Sequence, residues 1–425
     1  MQQVTVIVIG AGQRGKTYSN YALDYPEKLK VVGVADPNTV ACRQLQKLHN
    51  VPEDRLFDDW TKVLAQDKFA DAVIISTPDQ LHKDPAVACA NAGYHILLEK
   101  PMATTEQGCR DIVEACKRNN IILSVCHVLR HYPPMRKIKE LIDSGLVGDI
   151  VNIQHTEQVG YWHFAHAFVR GNWCREDTST FSLLAKCCHD VDLLSWWMSK
   201  YRCTGVSSFG SLFHFRKENK PPGSSSRCLD CKVETKCCYS AKKLYIDIYK
   251  MGNSDWPVSV ICNNPSIESI TEALQHGPYG RCVYDCDNDV CDNQVVSMRF
   301  SGGRTATLTM VAFTESVGQR IVRVFGTKGE INLSAAGDVR HYDFLSQQTV
   351  DVTVDFPASS ARVRSSSLGH DLADFYLMDN FVHALAMKDP SIIPASAEDI
   401  LTSHLLVFEA EKARRQSRVI SFEEH

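Results

Sequence analysis

The stretch VTVIVIGAGQRG, Val4 to Gly15, decides the fold. A short apolar, β-branched run breaks into glycines at Gly10, Gly12 and Gly15. Such a run reads as a buried parallel strand that turns tightly into a helix. The glycine spacing is G-x-G-x-x-G. Gly10 permits the sharp turn, Gly12 lets backbone approach a pyrophosphate, and Gly15 lets the helix pack close to the strand. The free N–H groups at the start of that helix then face phosphate. A strand pattern before the motif and a helix pattern after it are the context it requires.

Working outward, Leu29 to Ala35 reads as a second strand, ending at Asp36. A carboxylate about 20 residues past the turn accepts the ribose hydroxyls of the adenosine half and repels a 2′-phosphate, so Asp36 favours NAD over NADP. A helix cap before Asn38 is a compatible second role. Helical stretches at Lys16–Tyr25, Val40–His49, Trp60–Gln66, Ala86–Ala92 and Thr104–Arg118 alternate with strands at Ala72–Ser76, Tyr94–Leu98 and Ile121–Cys126. This alternation predicts a doubly wound parallel sheet, a Rossmann domain over residues 1–127. STPDQLH (Ser76–His82) and EKP (Glu99–Pro101) fall at strand ends, where a ligand crevice opens.

From Val151 the period changes to alternation. Strands are expected at Val151–Glu157, Gly205–Leu212, Gln294–Phe300, Thr305–Ala312, Arg320–Phe325 and Glu330–Leu333. They predict a second α+β domain, residues 128–396, built on a large, mostly antiparallel open sheet. Residues 397–425 form a C-terminal helix and tail. Irregular, cysteine-rich text fills about 215–293 as an insertion.

A chain of 425 residues with 44% apolar and 23% charged residues is an ordinary globular composition. A net charge of -4 without a basic stripe argues against general nucleic-acid binding. No apolar run approaches the ~18 residues of a membrane span. The first ten residues lack the cationic region of a secretory signal, so a cytoplasmic location and reduced thiols are expected for the 17 cysteines.

Together GAGQRG, Asp36, STPDQLH and EKP resemble the Gfo/Idh/MocA oxidoreductases (glucose-fructose oxidoreductase, inositol dehydrogenase and relatives). HVLRHYPP, GLVGDI (Gly145–Ile150) and GTKGEI (Gly326–Ile331) extend the resemblance over most of the chain. The resemblance implies a bound NAD lined by Gly10, Gly12, Gln13, Arg14, Gly15, Asp36, Thr77, Pro78, Asp79, His82, Glu99 and Lys100. It also implies that Lys100 meets a substrate hydroxyl beside the nicotinamide; a surface lysine paired with Glu99 is the plain alternative. In LLAKCCHDVDLLSWW (Leu183–Trp197), Lys186, His189 and Asp192 are spaced three apart and share a helix side. His189 and Asp192 resemble the family's H-x-x-D, which makes His189 a general acid or base; a core histidine is the alternative. Many members carry Asp four residues before that His. Here the position is Ala185, and Lys186 follows as a candidate for proton handling or substrate binding.

In YWHFAHAFVRGNW (Tyr161–Trp173), aromatic faces with polar tips suit a sugar ring. Trp162, His163 and Arg170, with Arg130, Asp192 and His370, are the candidate substrate residues, although a packed interdomain loop and, for His370, a helix cap are alternatives. In the insertion, Cys228, Cys231 and Cys237, with Cys282 or Cys286, match the arithmetic of a structural zinc site. Plain reduced thiols compete with zinc. Iron–sulfur ligation is a lesser use, and CDNDVCDNQ lacks a calcium-loop spacing.

The resulting expectation is an NAD-dependent oxidoreductase acting on a secondary hydroxyl of a sugar or cyclic polyol, assembled as a homodimer or homotetramer. NAD-dependent glycoside cleavage through transient oxidation and a non-catalytic NAD-sensing role are the alternatives.

Overall fold

Six apolar segments pair in parallel, as their β-branched, turn-bounded composition requires. The computed structural model describes residues 2–262, 264–354 and 371–422, so His370 lies outside the described residues. The strands are β1 (Val4–Ile9), β2 (Leu29–Ala35), β3 (Leu56–Phe57), β4 (Ala72–Ile75), β5 (His95–Leu98) and β6 (Leu123–Val125). Their order is β3-β2-β1-β4-β5-β6, all parallel. Strand order reverses at β1 and β4, so the crevice opens past Ile9 and Ile75. The helix after the glycine turn spans Gln13–Ser19 and gives way at Asn20 to a single turn, Tyr21–Asp24, instead of running on to Tyr25. Thr105 caps the Glu106–Arg118 helix by accepting from the Gly108 N–H at 3.0 Å. β3 was not expected because two residues carry no readable period.

The second sheet has nine strands: β7 (Ile150–Gln158), β8 (Cys203–Ser211), β9 (Asn293–Phe300), β10 (Arg304–Val311), β11 (Gln319–Gly326), β12 (Gly329–Leu333), β13 (Val339–Asp343), β14 (Gln348–Asp351) and β15 (Ile420–Ser421). Their order is β14-β13-β12-β11-β7-β10-β9-β8-β15. The meander holds within β8–β10 and within β11–β14. β7 divides the two, pairing parallel with β10 and antiparallel with β11. Alternation reports which face is buried and is blind to this insertion of the first strand into the middle. On the covered face lies the Ser182–Trp197 helix, buried nearly all round. On the other face Phe209, Val295 and Ile321 are exposed. The Ala397–Gln416 helix packs on both the Glu106–Arg118 and the Ser182–Trp197 helices, and so joins the two sheets. No helix among the described residues is long and apolar enough to cross a membrane.

Between β8 and β9 the insertion forms short helical turns around a small core of its own, including Leu244, Tyr245, Val258, Ile270 and Leu274. Arg170 fastens it to the domain. The buried guanidinium donates from Nε to Arg281 O at 2.8 Å and from Nη2 to Tyr239 O at 2.8 Å, and Nη2 lies 3.4 Å from Cys228 Sγ. All 17 cysteines are free thiols. Among the described residues, the group of three metal-ligating side chains with donor atoms within 4.8 Å of one another is His127, Cys188 and His404, and not a set from the insertion. The arrangement thus does not support zinc on Cys228, Cys231, Cys237 and Cys282, or Cys286. A fixed cation, the Arg170 guanidinium, stands against Cys228.

Three buried histidines tie together segments distant in sequence. His131 Nδ1 meets Asn380 at 3.0 Å, His166 Nδ1 meets Tyr245 OH at 2.8 Å, and His404 Nε2 accepts from Met102 N–H at 2.9 Å. Burial lowers each to about 3. Below the free-imidazole value of ~6.5 the unfolded chain therefore binds protons that the folded chain refuses, and stability falls as pH drops toward 3. Each group should remove about 2 kcal/mol between pH 7 and pH 5. Urea midpoints measured across that range should fall steadily, and His404→Gln should shallow the slope; a flat profile would contradict the account. Arg170→Met leaves two carbonyls unpaired and should cost about 3 kcal/mol. Limited proteolysis should then cut within residues 215–293, where the parent protein resists.

Candidate functional site

The three glycines of the first turn serve different purposes. Gly10 has φ +95°, and a Cβ there would lie 2.6 Å from the Ser76 backbone. At Gly15 a Cβ would lie 2.0 Å from Gly10 O. Both are required by packing. Gly12 meets nothing within 4 Å, and as the N-cap of the Gln13–Ser19 helix it has no capping side chain. Backbone N–H groups and open space therefore coincide at Gly12 and the exposed Gln13, which is what a pyrophosphate needs. Asp36 accepts from Ala11 N–H at 2.6 Å through Oδ2 and from Asn38 N–H at 2.7 Å through Oδ1. Each oxygen keeps a second lone pair for a ribose hydroxyl. The residues present fit a dinucleotide.

Arg14 leaves the glycine turn for a buried carboxylate. Its Nε donates to Glu99 Oε1 at 2.7 Å, Nη1 and Nη2 donate to Asp374 at 3.0 and 2.6 Å, and Nη2 also meets the Tyr18 hydroxyl. Tyr18 OH donates to Glu99 Oε1 at 2.6 Å, and Lys100 N–H donates to Oε2 at 2.7 Å. Burial pushes the Glu99 carboxyl up, but Arg14 and Lys100 outweigh it and hold the group below its usual range. Arg14 and Glu99 thus shape the crevice floor. His82 is fully buried, its ring nitrogens 2.7 Å from Pro101 O and 2.8 Å from Thr77 O, so it ties STPDQLH to EKP. Thr77 Oγ1 donates to Leu81 O at 3.0 Å, and Pro78 is exposed. Asp79 accepts from Trp173 Nε1 at 2.9 Å and Ser179 Oγ at 3.1 Å, linking the first domain to the second.

Lys100 stands at the end of β5 and donates from Nζ to Ala185 O at 2.8 Å. The Trp173 ring lies 5.8 Å from the ammonium. Ala185 is one turn before His189 on the Ser182–Trp197 helix, so the lysine of EKP is anchored on the helix that carries the histidine of H-x-x-D. His189 is 6% exposed and meets the ring of His127 edge-on at 5.4 Å. Lys186 Nζ lies 3.3 Å from Glu157 Oε1, and Arg320 Nε lies 2.7 Å from Glu157 Oε2. Arg320 also reaches Asp190 at 3.0 Å, and His155 Nε2 is 2.7 Å from the same carboxylate. Burial lowers the Lys186 pKa, and Glu157 opposes that shift.

Arg130 and Asp192, two of the candidate substrate residues, are brought onto each other. Their fork pairs at 2.6 and 2.7 Å, both side chains are buried, and His127 Nδ1 adds a contact at 3.3 Å. Arg170 sits under the insertion as described above. His163 Nδ1 lies 3.1 Å from Val159 O, and burial, with Lys186, His166 and Lys100 adding to it, drives its pKa well below the usual value. Trp162 and His163 meet the ring of Trp256 at 5.1 and 5.3 Å. Tyr279 stacks on His166 at 5.1 Å. Trp256 and Tyr279 belong to the insertion, and nothing in its irregular text marked them. Glu157, His127 and Asp374 were missed for a similar reason, since each acts through a partner distant in sequence.

The description "Oxidoreductase family, NAD-binding Rossmann fold" matches residues 4–127, and "Oxidoreductase family, C-terminal alpha/beta domain" matches residues 139–418. The Bacillus subtilis protein YteT is 24% identical over 84% of this chain and 81% of its own length. The inositol 2-dehydrogenase of Klebsiella pneumoniae is 27% identical over 55% of this chain and 67% of its own. Several other relatives are matched over about half of their length or less. A levoglucosan dehydrogenase solved with NADH and L-sorbose superposes with a TM-score of 0.70 at 17% identity, over 100% of both chains. The chain belongs to the Gfo/Idh/MocA oxidoreductase family, with that family's NAD-binding Rossmann domain and C-terminal α/β domain.

Proposed function

We propose that the chain is an NAD-dependent dehydrogenase of a secondary hydroxyl on a sugar or cyclic polyol. The observation that carries this reading is the meeting of Lys100 with the helix of His189. It joins a fixed ammonium at the crevice to a titratable imidazole one turn along the helix from its anchor. The names of relatives that act on inositol and levoglucosan support the substrate class. Bound NAD supplies the hydride acceptor.

The chain's own residues do the rest. Lys100 keeps N–H donors beyond the one given to Ala185 O, and these hold the substrate hydroxyl. His189 takes the hydroxyl proton as the C–H bond breaks, so the alcohol becomes a ketone and the proton leaves by way of the imidazole. Asp36 selects NAD over NADP by disfavouring a 2′-phosphate. The exposed face bearing Phe209, Val295 and Ile321 is available for self-association.

Incubation with NAD and a panel of sugars and inositols should produce NADH, with NADP a poorer acceptor. Lys100→Met and His189→Asn should each lower kcat by about 10²- to 10⁴-fold while NAD affinity stays within about threefold. Undiminished turnover in both variants would overturn the reading. Release of an aglycone from a glycoside without NADH accumulation would replace it by transient oxidation and elimination.

A further inference from the structure

Three elements from distant parts of the chain bring nitrogen and sulfur donors together beside His189. His127 lies just past β6, Cys188 on the Ser182–Trp197 helix and His404 on the Ala397–Gln416 helix. One donor atom of each lies within 4.8 Å of the others. The three residues are 2%, 1% and 0% exposed. The His127 ring meets His404 edge-on at 5.2 Å and His189 edge-on at 5.4 Å. One sulfur and two imidazoles suit a zinc-class cation; calcium and magnesium take oxygen ligands.

The groups behind the cluster have the form that a metal site requires. A ligating imidazole gives its second ring N–H to a carboxylate or a carbonyl, which fixes the ring and the tautomer. His404 Nδ1 lies 2.9 Å from Ile400 O, one turn back on its own helix, and so carries the proton. Its Nε2 then holds the lone pair, which accepts from Met102 N–H at 2.9 Å. His127 Nδ1 faces Asp192 Oδ2 at 3.3 Å, and Arg130 clamps that carboxylate. His127 Nε2 is buried and has no hydrogen-bond partner among the described residues. An orphaned ring nitrogen at that depth costs about 1–3 kcal/mol and calls for an explanation.

The lone pair already given to Met102 lends the site its consequence. Met102 follows Lys100 and Pro101 past the end of β5. A cation on His404 Nε2 displaces the Met102 N–H, so the loop that carries Lys100 must shift. Zinc bonds of about 2.1 Å to nitrogen and 2.3 Å to sulfur set tetrahedral donors about 3.5 Å apart, so the side chains close by on the order of 1 Å. The Cys188 thiol, which burial pushes up to about 12, gives its proton to solvent as the sulfur–metal bond forms.

We propose that His127, Cys188 and His404 bind a zinc-class divalent cation, and that its binding inhibits the enzyme by withdrawing the Lys100 loop. The coordination goes beyond the dehydrogenase reading, and only the inhibition rests on that reading.

The test uses the full-length protein, stripped with a chelator, with Co²⁺ as the spectroscopic probe and Zn²⁺ as its competitor. Co²⁺ should give a thiolate-to-cobalt charge-transfer band and tetrahedral d–d bands that Zn²⁺ abolishes. Cys188→Ser and His404→Gln should lose these bands, and Cys231→Ser and Cys238→Ser in the insertion should keep them. Anomalous diffraction from zinc-soaked crystals of the unaltered protein should place the ion at bonding distance from the three side chains, whatever the variants do to folding. Zn²⁺ should lower NADH formation, and chelator should restore it. Zinc found elsewhere, or a cobalt spectrum unchanged in Cys188→Ser and His404→Gln, would overturn the proposal and leave the dehydrogenase reading standing. Zinc at the site with undiminished turnover would overturn the inhibitory role. Zinc at the site in a protein that forms no NADH from any compound when metal-free would uphold the coordination and count against the dehydrogenase reading.

Discussion

One buried carboxylate holds the cofactor half together. Glu99, 6% exposed, accepts from Arg14, Tyr18 and the backbone of Lys100, and Arg14 carries the connection on to Asp374. An isolated carboxylate at that depth would cost several kcal/mol, so each donor is obligatory, and losing one partner leaves a buried charge uncompensated. The donors come from two places, the first helix and the tip of β5, and a second acceptor, Asp374, comes from the Asp371–Met387 helix far along the chain. The glycine turn and Lys100 are thus registered to one another through Glu99, and the second half of the chain reaches into the first to complete the register. Tyr21 and Lys28 repeat the pattern on Asp379, at 2.5 and 3.0 Å.

A second set of charges positions the substrate half. The Ser182–Trp197 helix is buried on almost every side, which its run of leucine, cysteine and tryptophan allows. Its polar residues must then find partners inside. Asp192 takes Arg130, Asp190 takes Arg320 and His155, and Lys186 takes Glu157. Each pair fixes the rotation of the helix about its axis. With that rotation set, His189 has little freedom, and Lys100 latches onto Ala185 O from the other domain. Charges that resemble an active site by residue type are mostly the frame around it.

That distinction explains what the sequence could disclose. Gly10, Gly12, Gly15 and Asp36 were legible because their demands are local: a positive φ, a close approach, a carboxylate at a strand end. Lys100 and His189 were singled out by short motifs, and the structure puts them where the alternation implied, one past the end of β5 and the other on the Ser182–Trp197 helix. Arg14 was read as a cofactor ligand because its neighbour in sequence is the glycine turn, whereas its partner Asp374 lies 360 residues away. Arg130, Asp192 and Arg170 were offered to the substrate for the same reason. A guanidinium or carboxylate in a promising segment does not announce which distant group it faces. The cysteine spacing failed differently. Spacing fixes where thiols lie along the chain, but where the sulfurs point depends on how the insertion docks, and Arg170 docks it.

The insertion carries its own consequence. It has a separate small core and meets the domain through Arg170 and a wall of rings, among them Trp256 on His163 and Tyr279 on His166. Both contacts fall on the turn that follows β7, beside Lys186 and away from the glycine loop. Variation in such a segment can therefore reshape the substrate side while leaving the network around Glu99 intact. The six-stranded sheet is constrained by a cofactor of constant shape, and it answers with packing that tolerates no Cβ at Gly10 or Gly15. The substrate side faces no such constant, and there the chain departs from the family pattern twice, with Ala185–Lys186 on the helix and an aromatic wall built from the insertion.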